Sequence, residues 1–238
     1  MKIELLFPDT CNLYGDLANI EYLQKSSDEI EVINTAINST PFFAENEPDM
    51  IYIGSMSEST QELALERLMP LKDRIIELVE NNTIIVATGN ALELFGSSIE
   101  NEDGSSIKCL GIFNTVAKRQ MMNRFNAIYV GKFSDIEIVG FKSQFSHSYG
   151  DYNGYEPLFI TERGPGLNPD AENEGIRKNN FFGTYLLGPL FVVNPYFALH
   201  ILTLLGVKNP KLAYEDAAIS SYEIRLKEFK EPTRGLYG

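Results

Sequence analysis

Thiols and imidazoles, the side chains best suited to attack a carbonyl and shuttle a proton near neutral pH, are scarce in this chain: two cysteines, Cys11 and Cys109, and two histidines, His147 and His200, among 238 residues. Chemistry is best organised around residues 82–96, NTIIVATGNALELFG. The run 83–87 is β-branched and small, as in a strand buried on both faces. Thr88-Gly89-Asn90 breaks it, and 91–95 has helical character before Gly96. Strand, tight small-residue turn and helix start form a nucleophile elbow, which lifts one side chain above the carboxyl edge of a parallel sheet. Acyl transfer there needs Cys or Ser at the tip. This tip offers Gly89, flanked by Thr88 and Asn90.

Each remaining candidate carries two readings. Cys11 sits in the polar loop 8–16, PDTCNLYGD. It could swing toward the elbow mouth, since strand-end loops share that edge; the plainer reading is a small apolar residue. Cys109 falls in an apolar run and reads as core. His200, between Leu199 and Ile201 on a helix, reads as packed or capping. His147, in a Ser-His-Ser-Tyr loop, reads as a surface histidine, or as one approaching the elbow. Tyr149, Tyr152 and Tyr155 lie in a Gly-, Ser- and Tyr-rich loop over 144–155. They serve either as contact surface or as packing for their own domain. The acidic turn 100–106, with Asp103, reads as solvated. Cys-x-x-Cys and His-x-x-x-His spacings are absent, so no metal and no cofactor are expected.

The elements that must hold these residues alternate early and become strand-rich later. Strands are expected at 3–7, 30–33 and 50–53 before the elbow strand, and at 107–113, 127–130, 136–140, 158–160 and 181–186 after it. Helices are expected at 17–24, 60–79, 196–205 and 213–230. In the second of these, Leu63, Leu65, Leu68, Leu71, Ile75 and Leu78 trace an apolar stripe at helical spacing. Pro70 should bend or split it, and Ser57 or Ser59 should cap it. The pattern implies an α/β fold with a mostly parallel sheet and a later antiparallel extension. One domain is expected over 1–230, with a loose tail at 231–238.

Hydrophobic content of 44% with 22% charged residues fits a globular domain. A formal charge of -13 argues against nucleic-acid partners and against attraction to an anionic membrane. The chain enters a strand at once, with no charged-then-apolar leader, and no apolar run is long enough to span a bilayer. A cytoplasmic, reducing location is expected.

Five patches occur in a telling order: FPDTCNLYGDLANI at the start, the strand at 51–54, the elbow at 83–96, Ile138-Val139-Gly140-Phe141, and Gly183-Thr184-Tyr185-Leu186-Leu187-Gly188-Pro189-Leu190 with Asn194-Pro195 beyond. Together they resemble the class I glutamine amidotransferases of the cobyric acid synthase type. Within that family they are most similar to the free-standing glutaminase subunits that work with a Mur-ligase-like synthetase to amidate the peptidoglycan precursor lipid II. The LYGD start and the GTYL–GPL end in one chain carry most of the specificity, and the resemblance covers residues 1–215.

That resemblance implies a three-layer α/β/α class I glutamine amidotransferase-like domain with a mostly parallel central sheet. It also implies where the chemistry should sit. In the family, glutamine is hydrolysed through a Cys thioester, with His as base and then acid. Counted back from Gly96, the nucleophile position is Gly89, or Thr88 if the turn shifts by one; the His position is Leu187. The loop whose backbone N–H groups help hold the oxyanion becomes Gly54-Ser55-Met56-Ser57-Glu58. The elbow Gln becomes Glu93, and Glu-Asn-His after Gly-Phe becomes Lys142-Ser143-Gln144.

Lys118-Arg119 falls on a basic pair that holds glutamine's carboxylate in the family. Arg119 either keeps that role or is a solvated cation. Glu93 would oppose a substrate carboxylate unless a cation or a proton offset it. Gly54, Asn90, Glu93, Arg119 and Gln144 are thus the vestigial substrate-binding positions. A Gly cannot attack a carboxamide and a Leu cannot move a proton, so no physiological glutaminase activity is expected. Three functions remain open. One is a non-catalytic partner or regulator of a Mur-ligase-like synthetase in cell-wall metabolism. The second is an active glutaminase with a site rearranged around Thr88 or a loop Cys, or completed by its partner. The third is a sensor taking glutamine or another small amino acid in the vacated pocket.

Overall fold

Short apolar runs, too brief for helices and buried at every position, build the middle of the central sheet. The structure, a computed structural model, describes residues 1–232, so most of the expected tail at 231–238 lies outside the described residues. In chain order the elements begin β1 (Lys2–Leu6), α1 (Leu17–Ser26), β2 (Glu31–Thr35), β3 (Met50–Ile53), α2 (Glu58–Leu68), α3 (Lys72–Glu80) and β4 (Ile84–Thr88). A 3-10 segment, Gly89–Phe95, leads to β5 (Ser98–Glu100), β6 (Ser106–Lys108), β7 (Thr115–Arg119), β8 (Phe125–Phe133), β9 (Ile136–Gln144) and β10 (Ser146–Gly150). Then come β11 (Phe159–Arg163), β12 (Asn173–Glu174), β13 (Ile176–Lys178), β14 (Phe181–Thr184), α4 (Leu190–Val193), α5 (Pro195–Leu204) and α6 (Glu215–Lys230).

The central sheet runs β13-β14-β4-β3-β1-β2, and all its pairings are parallel except β13 with β14. One face packs Ile51, Ile53, Ile85 and Ala87 against Leu65, Leu68, Ile75 and Leu78 of α2 and α3. The other packs Leu5, Tyr52, Val86 and Phe182 against Ile20 and Leu23 of α1 and Phe197 and Ile201 of α5. This is a three-layer α/β/α arrangement. Two four-stranded sheets extend it, β10-β7-β5-β6 and β12-β11-β8-β9. The long β8–β9 hairpin stays in register from Phe125↔Gln144 to Phe133↔Ile136 and carries Ser143 and Gln144 to the elbow.

Some expectations hold and others need correction. Pro70 does split the expected helix: α2 and α3 are separated by a 3-10 turn, Met69–Leu71, and Ser57 caps α2 by accepting Thr60 N–H. The elbow helix is a 3-10 segment that starts at Gly89. The strand expected at 107–113 ends at Lys108, so Cys109 lies beyond it, although buried. The loop expected over 144–155 contains β10, and His147 is a buried strand residue, not a surface one. Pairing with β7 satisfies that strand's backbone, which lets polar side chains go inside. Of the tyrosines, Tyr152 and Tyr155 pack edge to face and, half-buried, lie against the core cluster, whereas Tyr149 lies under the Lys118 ammonium. His200 is packed as expected, stacked on Phe197.

Candidate functional site

The carboxyl ends of β1, β3, β4 and β14 share one edge, and the loops leaving them surround a cavity of about 110 Å³. Such an edge is where open α/β sheets place their sites. Ser55 and Met56 follow β3, Gly89 and Asn90 follow β4, and Tyr185 and Leu187 follow β14; all line the cavity. The hairpin side adds Gln144 and Ser146.

At the turn itself, Gly89 adopts a left-handed φ of +60, a conformation that costs other residues about 1–2 kcal/mol. A Cβ there would point between Ser55, whose Oγ would be 2.4 Å away, and Leu187, whose Cδ2 would be 3.4 Å away. The elbow tip therefore falls at Gly89, with Leu187 facing it. Thr88 is the last residue of β4, fully buried, and its Oγ1 donates to Asp16 Oδ1 at 2.9 Å while lying 2.8 Å from Tyr52 OH. It turns away from the cavity. Cys11 is also inside: its Sγ contacts Met56 Sδ at 3.8 Å, and burial pushes its thiol up to about 12. Cys109 is pushed to about 12 by burial as well. A thiol held so high is almost wholly protonated at neutral pH and a poor nucleophile.

Asp16 gathers this edge. Besides Thr88, its Oδ1 accepts Ser55 Oγ at 3.2 Å, and its Oδ2 accepts Tyr14 N–H at 3.2 Å. Gly54 permits the approach, because a Cβ there would meet Asp16 Cβ at 2.5 Å and Cys11 O at 2.6 Å. Asn90 joins the two loops: its Oδ1 accepts Met56 N–H at 3.0 Å and its Nδ2 donates to Met56 O at 2.8 Å.

Behind the elbow lies a polar wall. Glu93 is buried, and burial raises its carboxyl above the usual carboxylate range. Opposing that, Oε1 accepts Tyr185 OH at 2.9 Å and Ser146 Oγ, and Oε2 accepts Gln61 Nε2 at 2.8 Å. Arg119 reaches Glu93 through Gln61, donating to Gln61 Oε1 at 2.8 Å, and also donates to Asn101 Oδ1 at 3.0 Å. Arg119 is buried, so the solvated reading fails; its neighbour Lys118 is the exposed member of the pair. Arg119 pairs directly with Glu62 at 3.8 Å, its charge acts on Glu93 only at longer range through Gln61, and the cavity lining does not include it. Gln144 Nε2 donates to Ser146 O at 2.6 Å and lies 3.2 Å from His147 Nδ1.

Deeper still, Lys142 and Glu174 form a fully buried ion pair. Lys142 Nζ also donates to Gly166 O at 2.6 Å, and Glu174 Oε1 accepts Thr184 Oγ1 at 2.8 Å and Tyr185 N–H at 2.7 Å. Sequence reasoning assigned no roles to Asp16, Arg124 or this pair. Arg124 stands at the cavity mouth, donating to Tyr14 OH at 2.7 Å with its guanidinium 5.1 Å from the Phe145 ring centre. Among the described residues no cluster of His, Cys, Asp and Glu could hold a metal ion.

The profile of the CobB/CobQ-like glutamine amidotransferase domain matches residues 2–194. The chain belongs to that family. Its relatives include the lipid II isoglutaminyl synthase (glutamine-hydrolyzing) subunit GatD of Staphylococcus aureus, 28% identical over 188 residues, which are 78% of this chain and 76% of that protein. The subunit of the same name from Streptococcus pneumoniae is 24% identical over 240 residues, covering 96% of this chain and 88% of the other. In three dimensions, a crystal structure of a glutamine amidotransferase matches with a TM-score of 0.58 at 14% identity, covering 86% of this chain and 99% of that one. At that identity the likeness speaks for the class I amidotransferase fold alone. This chain is thus a GatD-like member of the glutamine amidotransferase family, and among its described residues no helix is long and apolar enough to cross a membrane.

Proposed function

We propose that this chain is a GatD-like subunit that does not hydrolyse glutamine and instead acts, in the cytoplasm, as a non-catalytic partner or regulator of a Mur-ligase-like amidating synthetase. One observation carries the reading: the elbow tip is Gly89, opposite Leu187, where the family's thioester chemistry needs a thiol and an imidazole. The nearest substitutes support it further. Thr88 spends its hydroxyl on Asp16, and Cys11 is buried against Met56 with its thiol pushed to about 12. Homology to subunits of a lipid II isoglutaminyl synthase supports the synthetase partner.

Co-purification tests the partner. The chain is expected to co-elute with a Mur-ligase-like synthetase of its own organism and to raise or lower that enzyme's amidation rate with added ammonia. If it neither binds nor alters the rate, the regulatory role is wrong. The rearranged-glutaminase alternative makes a different forecast, since activity abolished by Thr88→Ala or Cys11→Ser would establish it.

The sensor reading has its own observation in the open cavity of about 110 Å³, somewhat smaller than the roughly 150 Å³ that accommodates benzene in an engineered core. Glutamine-dependent thermal stabilisation without turnover would favour it. No shift at millimolar glutamine would remove it.

A further inference from the structure

We infer that Ser55 and Asn90 close the elbow as an acyl-transfer site, so that Gly89 and Leu187 are two parts of a rearrangement involving four residues. This rests on the proposed absence of hydrolysis and specifies what maintains it. Ser55 fills the volume that any residue-89 side chain would need: a Cβ there would lie 2.4 Å from Ser55 Oγ and 3.0 Å from Ser55 Cβ. The Oγ is not idle, because it donates to Asp16 Oδ1 at 3.2 Å, the carboxylate oxygen that also binds Thr88. Turning it aside breaks a buried hydrogen bond.

Asn90 acts on the other requirement of acyl transfer, backbone donors left free for a developing oxyanion. Its side chain takes both the N–H and the C=O of Met56, in the loop facing the elbow. Its own carbonyl accepts Gln61 Nε2 at 2.8 Å, which holds the residue in place. A donor engaged in this way is withdrawn from a tetrahedral intermediate. Restoring a thiol at 89 and an imidazole at 187 would leave both obstacles standing.

Two readouts independent of glutamine turnover test this. In thermal unfolding, Gly89→Cys is expected to lower Tm by roughly 5–10 °C, from the left-handed backbone and the Ser55 contact together. Ser55→Gly alone should cost less, and Ser55→Gly/Gly89→Cys should be more stable than Gly89→Cys. A double variant no more stable than Gly89→Cys overturns the role of Ser55. In amide hydrogen exchange, Asn90→Gly is expected to speed Met56 N–H exchange by about tenfold while Ile51 in β3 stays unchanged. Unchanged Met56 exchange overturns the role of Asn90. Glutamate release by the wild-type chain would instead refute the proposed function, a result separable from either of these.

Discussion

At the elbow, Gly89 and Leu187 bring no titratable atom to the cavity, whereas behind them Lys142 and Glu174 form an ion pair out of water, and the buried Glu93 and Arg119 are joined through the Gln61 amide. The two regions meet at Tyr185, which lines the cavity, donates its hydroxyl to Glu93 and has its N–H held by Glu174. The contrast separates two roles that polar residues play in such a site. Reactive groups can be dropped at little structural cost if something fills their place. Buried ions cannot be dropped singly, because the partner left behind keeps its desolvation penalty.

That asymmetry is measurable. Lys142→Ala should be the most damaging change, at about 3–5 kcal/mol in denaturant unfolding, since it strands Glu174 in a site with no solvent access. A loss below 1 kcal/mol would mean that the polar wall is no more rigidly specified than the elbow. Glu93→Ala should cost about 2–3 kcal/mol by removing the buried acceptor of the Ser146 and Tyr185 hydroxyls and of one Gln61 N–H, although Gln61 keeps Asn90 O and Tyr185 keeps Ser148 as partners. Thr88→Ala or Cys11→Ser, by comparison, should leave glutamate release at the wild-type background, because neither side chain faces the cavity.

The smallest effect is a pH dependence at the edge of the wall. Burial lowers the pKa of His147, with the nearby Lys142 charge adding to the effect. Its folded-state pKa lies below the ordinary 6.5, so its contribution to stability is complete above about pH 6.5 and is lost as pH falls toward the folded value. The raised carboxyl of Glu93 works in the opposite sense, adding stability as pH falls through its folded pKa toward the usual carboxylate range. Comparing wild type with His147→Phe isolates the first contribution: the stability difference should shift in favour of the variant as pH drops below 6.5. A difference independent of pH between 5 and 8 would mean His147 is not held neutral by the wall.

The elbow was legible because strand, turn and helix start are local signals; the β-branched run before Gly89 needs no distant partner to be recognised. Pro70 was legible for the same reason, since a proline in a helix interior removes a hydrogen bond and kinks or breaks the helix. The polar wall was not. Lys142 and Glu174 are 32 residues apart, and Arg124 is 110 residues from the Tyr14 hydroxyl that it binds. Nothing local marks either pairing. His147 was misread because Ser-His-Ser-Tyr-Gly has the composition of a loop. Its strand becomes buried only through pairing with β7 and through acceptors from other elements, such as Glu93 for Ser146. Arg119 was half legible: the basic pair was visible in the sequence, but its burial, its bond to Gln61 and its ion pair with Glu62 depend on side chains 58 and 57 positions away.

Release of glutamate from glutamine by the purified chain, alone and in the presence of a Mur-ligase-like synthetase, tests the central claim most directly. The expected result is no release above background in either case, with Thr88→Ala and Cys11→Ser indistinguishable from wild type. Release at an ordinary enzymatic rate, by the chain alone or only with the synthetase, would contradict the claim and place a working nucleophile at this site.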